Sequence, residues 1–235
     1  MPAQSSLVRA PGLIALALIA FALAAPRVAA VPVHGIVSLP RPPAAAPAPA
    51  AERTRRDHYW NVWAELLDPA SPRVPTEREV SVVLTGEANP RSRGCSYRIE
   101  GGDLFPRTLV AQANTRISLE NRDGTAHRVY SDTLPGLTPL RTAPGRAREV
   151  AVPDAGRWEL RDREYPQLVG HLVSIPDLAA CATVTPRGEW RFSDVAPGTY
   201  TLKVYRAGQE AHAAPLTVAA NARDVVVEPI LLTGN

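Results

Sequence analysis

The sequence predicts an all-β protein built from two consecutive β-sandwiches. From residue 79 onward, short runs of alternating apolar and polar residues recur at intervals of roughly ten to fifteen residues, a cadence typical of sandwiches with Greek-key connections. Gly, Pro, Asn and Asp residues separate these runs and mark turns. After Pro176 a second group of runs begins. The predicted strands are EVSVVLTG, RTLVAQ, TRISLEN, HRVYS, AREVAVP, GRWELRD and VGHLVSIP in the first group, then GEWRFSDV, GTYTLKVYR, APLTVAA and ARDVVVEPILL.

Residues 1–30 have the layout of a secretory signal peptide. Arg9 supplies a short basic region, GLIALALIAFALAA an apolar region, and Val28-Ala29-Ala30 a small-residue cleavage site. The alternative is a retained membrane anchor, but the apolar run is shorter than the ~20 residues that a span needs. The mature protein is therefore expected to be exported, periplasmic or secreted, with no membrane span after signal removal.

Residues 31–78 precede the regular strand pattern. A β-like run, VHGIVSL, opens this segment, and a Pro/Ala-rich tract over 40–56 follows as a predicted loop or spacer. Aromatic and leucine residues near helical spacing then predict a short helix over 57–69. Its Trp60 and Trp63 could form a stacking surface for a sugar or peptide, or a hydrophobic plug on the domain.

The net charge argues against a nucleic-acid partner. The formal charge of +3 falls to about +1 once the signal peptide, which holds Arg9 and Arg27 and no acid, is removed.

The chain has two cysteines, Cys95 and Cys181. An even count in an exported chain favours one disulfide, and the alternative is two buried thiols.

Residues 99–176 resemble the cupredoxins, specifically the plastocyanin-like domain of exported proteins of the methylamine-utilisation type. The matching features are Phe105-Pro106-Arg107 before a strand, the Asn121-Arg122-Asp123 turn, and the run from His127 to Ser131. In that family the last run carries the first copper-ligating histidine, which the resemblance assigns to His127.

The family's other copper ligands are missing from the corresponding loop. Where the family has Cys-x-x-His-Pro-x-Met, this chain has DREYPQL, aligned on its proline. Asp162 then takes the cysteine position, Tyr165 the second histidine and Leu168 the methionine. A type 1 copper site depends on a soft thiolate, so His127 is expected to be a remnant ligand that packs or hydrogen-bonds near Tyr165. No cofactor is expected, and copper bound at an unconventional site that includes His127 is the alternative.

Two further kinds of chemistry are relevant to the residues around His127. Asp162, Glu164 and His127 could supply a hard oxygen and nitrogen site for a divalent ion, although their spacing is not a metal signature. The sequence has no G-x-S-x-G elbow, P-loop, G-x-G-x-x-G after a strand or H-E-x-x-H motif. An enzyme is therefore not expected.

Residues 186–204 resemble the transthyretin-like module, also called carboxypeptidase regulatory-like, which has a carbohydrate-binding-like fold. Such modules usually act as structural or docking elements. Its aromatic residues alternate at period two and are expected to face the core, which leaves Tyr205 as the exposed aromatic residue for a sugar. The residues that carry the resemblance are Gly188, Trp190, Phe192, the run Asp194-Val195-Ala196-Pro197-Gly198-Thr199-Tyr200, Leu202 and Val204.

These observations predict a cupredoxin-like domain over 79–177 and a transthyretin-like domain over 178–235. The predicted function is a non-catalytic exported binding or scaffolding protein, with an unknown protein or glycan of the cell envelope as its partner. A periplasmic electron-transfer protein with metal at His127 and a carbohydrate-binding surface protein are the alternatives.

Overall fold

The computed structural model describes residues 30–39, 76–86 and 95–233. The predictions for residues 1–29 of the signal peptide, for the Pro/Ala tract and for the helix with Trp60 and Trp63 lie outside the described residues. Within those residues, no helix is long and apolar enough to cross a membrane.

The described residues form one helical turn and sixteen strands, so the predicted all-β class is confirmed. The turn is α1 (Thr76–Glu79). The strands are β1 (Val31–Ser38), β2 (Val80–Gly86), β3 (Tyr97–Ile99), β4 (Leu104–Phe105), β5 (Thr108–Gln112), β6 (Arg116–Asn121), β7 (Val129–Tyr130), β8 (Ala147–Ala151), β9 (Gly156–Asp162), β10 (Val169–Ile175), β11 (Leu178–Ala182), β12 (Glu189–Val195), β13 (Gly198–Arg206), β14 (Gln209–Val218), β15 (Val225–Val226) and β16 (Ile230–Leu231).

The strands form four sheets that pack around two main cores. Sheets β4-β3-β6-β8 and β5-β10-β9-β7 share one core and are called sheet pair 1. Sheets β12-β1-β15, with β16 also on β1, and β11-β2-β13-β14 share the other core and are called sheet pair 2. Trp190, Phe192 and Tyr200 are 2, 3 and 5 % exposed in that second core, as their period-two spacing predicts.

Both N-terminal strands belong to sheet pair 2. Strand β1 pairs antiparallel with β12 and parallel with β15 and β16, and β2 lies between β11 and β13. From the sequence, the β2 run is expected at the start of the first domain and β1 outside both domains. All residues of β2 except the last are buried. A strand that is apolar on both faces is stable between two packed layers, which is where β2 lies.

The side of β2 and β13 that points away from the core of sheet pair 2 packs against sheet pair 1. A small apolar cluster joins Val83 and Tyr205 of sheet pair 2 to Val110 and Val173 of sheet pair 1. Tyr205 is therefore 6 % exposed, and the prediction that it offers an exposed sugar platform is wrong, because the face of the sheet that bears it is covered.

Covalent and polar contacts cross the same boundary. A disulfide joins Cys95 to Cys181, with the two Cα atoms 5.5 Å apart. The Gly208 amide donates to Thr108 Oγ1 across 3.1 Å, and the Arg107 amide donates to the Arg78 carbonyl across 2.7 Å. The two sheet pairs are thus held together by side chains, backbone and one disulfide.

A buried histidine between two carboxylates

His127 lies just before β7 and is fully buried. Its backbone exchanges two hydrogen bonds with Thr142, at 3.0 and 2.8 Å. The preceding turn is organised by Asn121, whose side-chain amide donates to the carbonyls of Thr125 and Thr142, and whose Oδ1 accepts from the Asp123 amide. This local network explains why a polar turn delivers the imidazole into the interior of sheet pair 1.

Asp162, at the end of β9, contacts the Nδ1 side of the ring. Its Oδ2 lies 3.2 Å from His127 Nδ1 and accepts from the Arg128 amide at 2.8 Å. Its Oδ1 accepts from the amides of Glu164 and Tyr165 at 2.8 and 3.0 Å. The carboxylate thus links the loop after β9 to the segment around His127. A cysteine sulfur at this position would be a much weaker hydrogen-bond acceptor.

Asp123 contacts the opposite side of the ring. Its Oδ2 lies 3.0 Å from His127 Nε2, and its two oxygens accept from the amides of Gly101 and Gly102. Both glycines have positive φ, at 65° and 73°, a conformation that glycine adopts without a Cβ penalty. Burial alone would raise the pKa of Asp123, but the amides of Gly102 and Gly101 and the His127 ring outweigh it and lower that pKa.

The other two positions of the predicted ligand set fill the space around the imidazole. The rings of Tyr165 and His127 lie 4.8 Å apart between centroids and are tilted by 42°. Leu168 is fully buried in the core of sheet pair 1. A carboxylate, an aromatic ring and an aliphatic side chain therefore occupy the positions that the resemblance assigns to cysteine, histidine and methionine.

The residues present do not fit a type 1 copper site. Each ring nitrogen of His127 faces a carboxylate oxygen, and the two carboxylates lie on opposite sides of the ring, so the three groups do not converge on one point. The described cysteines are paired with each other and offer no thiolate. Across residues 30–39, 76–86 and 95–233, no group of three His, Cys, Asp or Glu side chains is arranged to hold a metal ion.

The alternative oxygen and nitrogen set is not assembled either. Glu164 turns its carboxylate to Arg128, with 3.2 Å between Oε1 and Nε, and not to His127. His171 lies on β10 opposite Glu159, beside Gly208 of sheet pair 2. Burial lowers the pKa of His171.

Sequence reasoning did not single out Asp123 as a partner of His127. A signal was present, because Asn121 and Asp123 at a spacing of two form the side-chain turn that precedes the histidine. What the sequence does not display is the return of Gly101 and Gly102 beside this turn, which fixes the Asp123 carboxylate.

No protein-family model and no curated protein sequence matches the chain. Among solved structures, the chain is similar to amicyanin from Paracoccus versutus, with 14% identity over 40% of this chain and 97% of that one, at a TM-score of 0.33. A reduced mutant of amicyanin gives 13% identity over 40% of this chain and 98% of that one, at a TM-score of 0.32. A copper-containing nitrite reductase from Thermus scotoductus gives 15% identity over 35% of this chain and 22% of that one, at a TM-score of 0.31.

Proposed function

We propose that this chain is a non-catalytic, exported binding or scaffolding protein. In this proposal sheet pair 1 is a cupredoxin-like sandwich that has lost its type 1 copper site, and sheet pair 2 is a transthyretin-like sandwich. The observation that carries the proposal is that each ring nitrogen of His127 contacts a carboxylate. Nε2 lies 3.0 Å from Asp123 Oδ2, and Nδ1 lies 3.2 Å from Asp162 Oδ2.

The buried cluster has the features of a structural element. Asp162 is 3 % exposed and accepts from three backbone amides in addition to its contact with His127. Each ring nitrogen of His127 lies within hydrogen-bond distance of a carboxylate oxygen, so protein groups occupy both polar positions of the ring. A ring held in this way orders the end of sheet pair 1, and each of its nitrogens faces a protein carboxylate and not an open site.

The hydroxyl group of Ser131, four residues after His127, also has a structural role. Ser131 Oγ accepts from the amides of Thr133 and Leu134, at 3.4 and 3.2 Å, which organises the turn after β7. A nucleophile would instead be expected within hydrogen-bond reach of its base. This arrangement supports a protein that binds and positions partners and does not transform them.

Metal analysis of the mature protein tests the proposal. The protein would be incubated with excess Cu(II), Cu(I) under reducing conditions, or Zn(II), then desalted and measured by elemental mass spectrometry and visible absorption. We expect well under one metal ion per chain and no intense band from thiolate-to-copper charge transfer. Stoichiometric copper that survives desalting and gives such a band would overturn the proposal.

The His127→Ala variant identifies the site if metal is retained. Loss of that metal in the variant would assign it to an unconventional centre at His127 and support the electron-transfer alternative. Retention of all of the metal in the variant would place it elsewhere and remove that alternative.

A further inference from the structure

Sheet pair 2 has an outer face, formed by β12, β1, β15 and β16, that turns away from its core. Along β1, Val31, Val33 and Val37 are buried, whereas Ile36 and Ser38 are exposed. Because side chains alternate along a strand, the exposed residues of these four strands share one side of the sheet. The strand register places Glu189 opposite Ile36, Arg191 and Val226 beside His34, and Leu231 beside Ser38.

Apolar side chains are concentrated on this outer face. Ile36, Val226 and Leu231 are 41, 70 and 73 % exposed, and they make up three of the four exposed large hydrophobic residues found among the described residues. A cavity of about 630 Å³ opens beside Ile36 and Val226 and extends to Pro229. Exposed apolar residues that occur singly need no explanation, but a cluster beside a cavity is typical of an interaction surface.

Two opposite charges border the apolar cluster and lie two residues apart on β12. Glu189 and Arg191 are both exposed, and within the described ranges neither forms an ion pair. His34, next to Arg191, is already held by Asp224 at 2.9 Å. Among the described residues, β12 thus presents to the outer face an acid and a base without ion-pair partners, in a fixed order along the strand.

We propose that the outer face binds the same face of a second copy of this chain. A two-fold axis that runs across the strands at the level of Gly35 and Trp190 reverses the direction of β12 in the second copy. Glu189 of each copy then lies opposite Arg191 of the other, which gives two equivalent ion pairs, and Ile36 packs beside the cavity of the second copy. Such a surface is self-complementary, as an isologous interface requires.

The charges also discriminate against the other simple arrangement. An axis that runs along β12 would place Glu189 against Glu189 and Arg191 against Arg191, and like charges that face each other across an interface are unfavourable. Face-to-face sheets pack ~10 Å apart, a gap that one glutamate and one arginine side chain can bridge together.

The size of the surface sets the expected strength. Strands ~4.8 Å apart and a rise of ~3.3 Å per residue give an outer face of roughly 15 by 26 Å, or about 400 Å² per copy. A standard stable interface buries about 800 Å² per partner. We therefore expect a reversible dimer whose dissociation constant lies between about 1 µM and 1 mM.

Analytical ultracentrifugation of the mature protein across that concentration range tests the proposal. The wild-type protein should shift from monomer to dimer, and the shift should weaken with added salt. Glu189→Arg and Arg191→Glu should each weaken self-association at least about tenfold, because each variant sets two like charges against each other. A wild-type protein that stays monomeric up to about 1 mM would overturn the proposal.

Mixing the two variants tests directly whether Glu189 of one copy pairs with Arg191 of the other. Glu189→Arg presents two bases and Arg191→Glu two acids, so an equimolar mixture should form a heterodimer more tightly than either variant forms a homodimer. The double variant that carries both substitutions keeps one acid and one base and should recover self-association. A mixture that stays monomeric would contradict the pairing, and misfolding cannot account for a recovery.

Matched controls lie on the exposed side of sheet pair 1. Arg116→Glu and Glu149→Arg make the same charge changes on β6 and β8, at exposed positions outside the outer face. Both should self-associate like the wild-type protein. If they weaken association as much as the β12 variants do, net charge and not the outer face controls it, and the proposal fails.

Discussion

Arg107 Nη1 donates to Glu79 Oε1 across 2.8 Å, and this contact joins the loop before β5 in sheet pair 1 to the residue that precedes β2 in sheet pair 2. The same guanidinium contacts Asp103 Oδ2 through Nε at 2.7 Å and through Nη2 at 2.6 Å. The hydrogen bond to Asp103 raises the pKa of Arg107. One side chain thus couples both sheet pairs through two carboxylates.

Replacing this arginine should destabilise the protein. Arg107→Gln leaves Asp103, whose side chain is 10 % exposed, without its main charged partner. We expect the free energy of unfolding, measured in guanidinium chloride, to fall by about 1–2 kcal/mol, since the arginine is partly screened by solvent. The control is Arg122→Gln, which breaks an exposed pair with Glu120 and should cost less than about 0.5 kcal/mol. Equal losses in the two variants would show that the link between the sheet pairs contributes nothing of its own.

The disulfide should contribute more than any single polar contact. Cys95 and Cys181 are 86 residues apart, and in the chain-entropy description a loop of this length stabilises the folded state by about 4.6 kcal/mol. The Cys95→Ser/Cys181→Ser variant should therefore melt well below the oxidised wild-type protein and close to the reduced one. Mass spectrometry with and without reductant verifies the bond. A variant as stable as the oxidised protein would contradict this expectation.

Asp162 should matter more for stability than an exposed carboxylate does. Asp162→Asn replaces one of the two carboxylate oxygens, which contact three backbone amides and one imidazole, by an NH2 group that donates and does not accept. We expect a loss of about 2–4 kcal/mol, because buried donors are left without acceptors. Denaturation of this variant would be compared with that of Asp132→Asn, which changes an exposed side chain in the turn after β7. A loss no larger than that of the control would mean that the His127 cluster does not organise sheet pair 1.

The protein should lose stability at alkaline pH through Tyr97. Its buried hydroxyl donates to the Val110 carbonyl, and burial raises the pKa of Tyr97 above the ordinary value of 10.0. A group with a raised folded-state pKa contributes stability that is complete below the unfolded pKa and is lost as pH rises through the folded pKa. The free energy of unfolding should therefore decline above pH ~10.

Tyr97→Phe separates the two contributions of this hydroxyl. The variant should be about 1 kcal/mol less stable at neutral pH, because it lacks the hydrogen bond, and should show a shallower alkaline decline. Tyr130→Phe, which removes a half-buried tyrosine from β7, is the composition control. An unchanged alkaline slope in Tyr97→Phe would assign the decline to other groups.

Local sequence patterns predicted the features that depend on alternation. The period-two spacing of Trp190, Phe192 and Tyr200 places all three in a core, and the spacing of turn residues indicates an all-β chain. The environment of Tyr205 could not be predicted in this way, because alternation tells which side of a strand a residue faces and not what covers that side.

Pairing between strands far apart in the sequence was the other feature that local patterns did not predict. The sequence of β1 does not reveal that it pairs with the strand that begins at residue 189, and that of β2 does not reveal its pairing with the strand that begins at residue 178. The reason is that backbone hydrogen bonds between strands carry little sequence information. At His127, the resemblance identified the neighbours Tyr165 and Asp162, which lie on one loop. Asp123 was missed because its role depends on two glycines that approach it from the segment between β3 and β4.

The pairing of β1 and β2 with later strands makes sheet pair 2 a discontinuous unit that encloses sheet pair 1 as an insertion. Strand β1 is synthesised early but pairs late, because within the described residues its partner strands lie between residues 189 and 231. A chain cut after residue 177 would retain all the strands of sheet pair 1 but would leave β1 and β2 with exposed hydrogen-bonding edges. During synthesis sheet pair 1 can therefore form first, although β1 and β2 of sheet pair 2 are made before it. Sheet pair 2 is complete only when the C-terminal strands have been made.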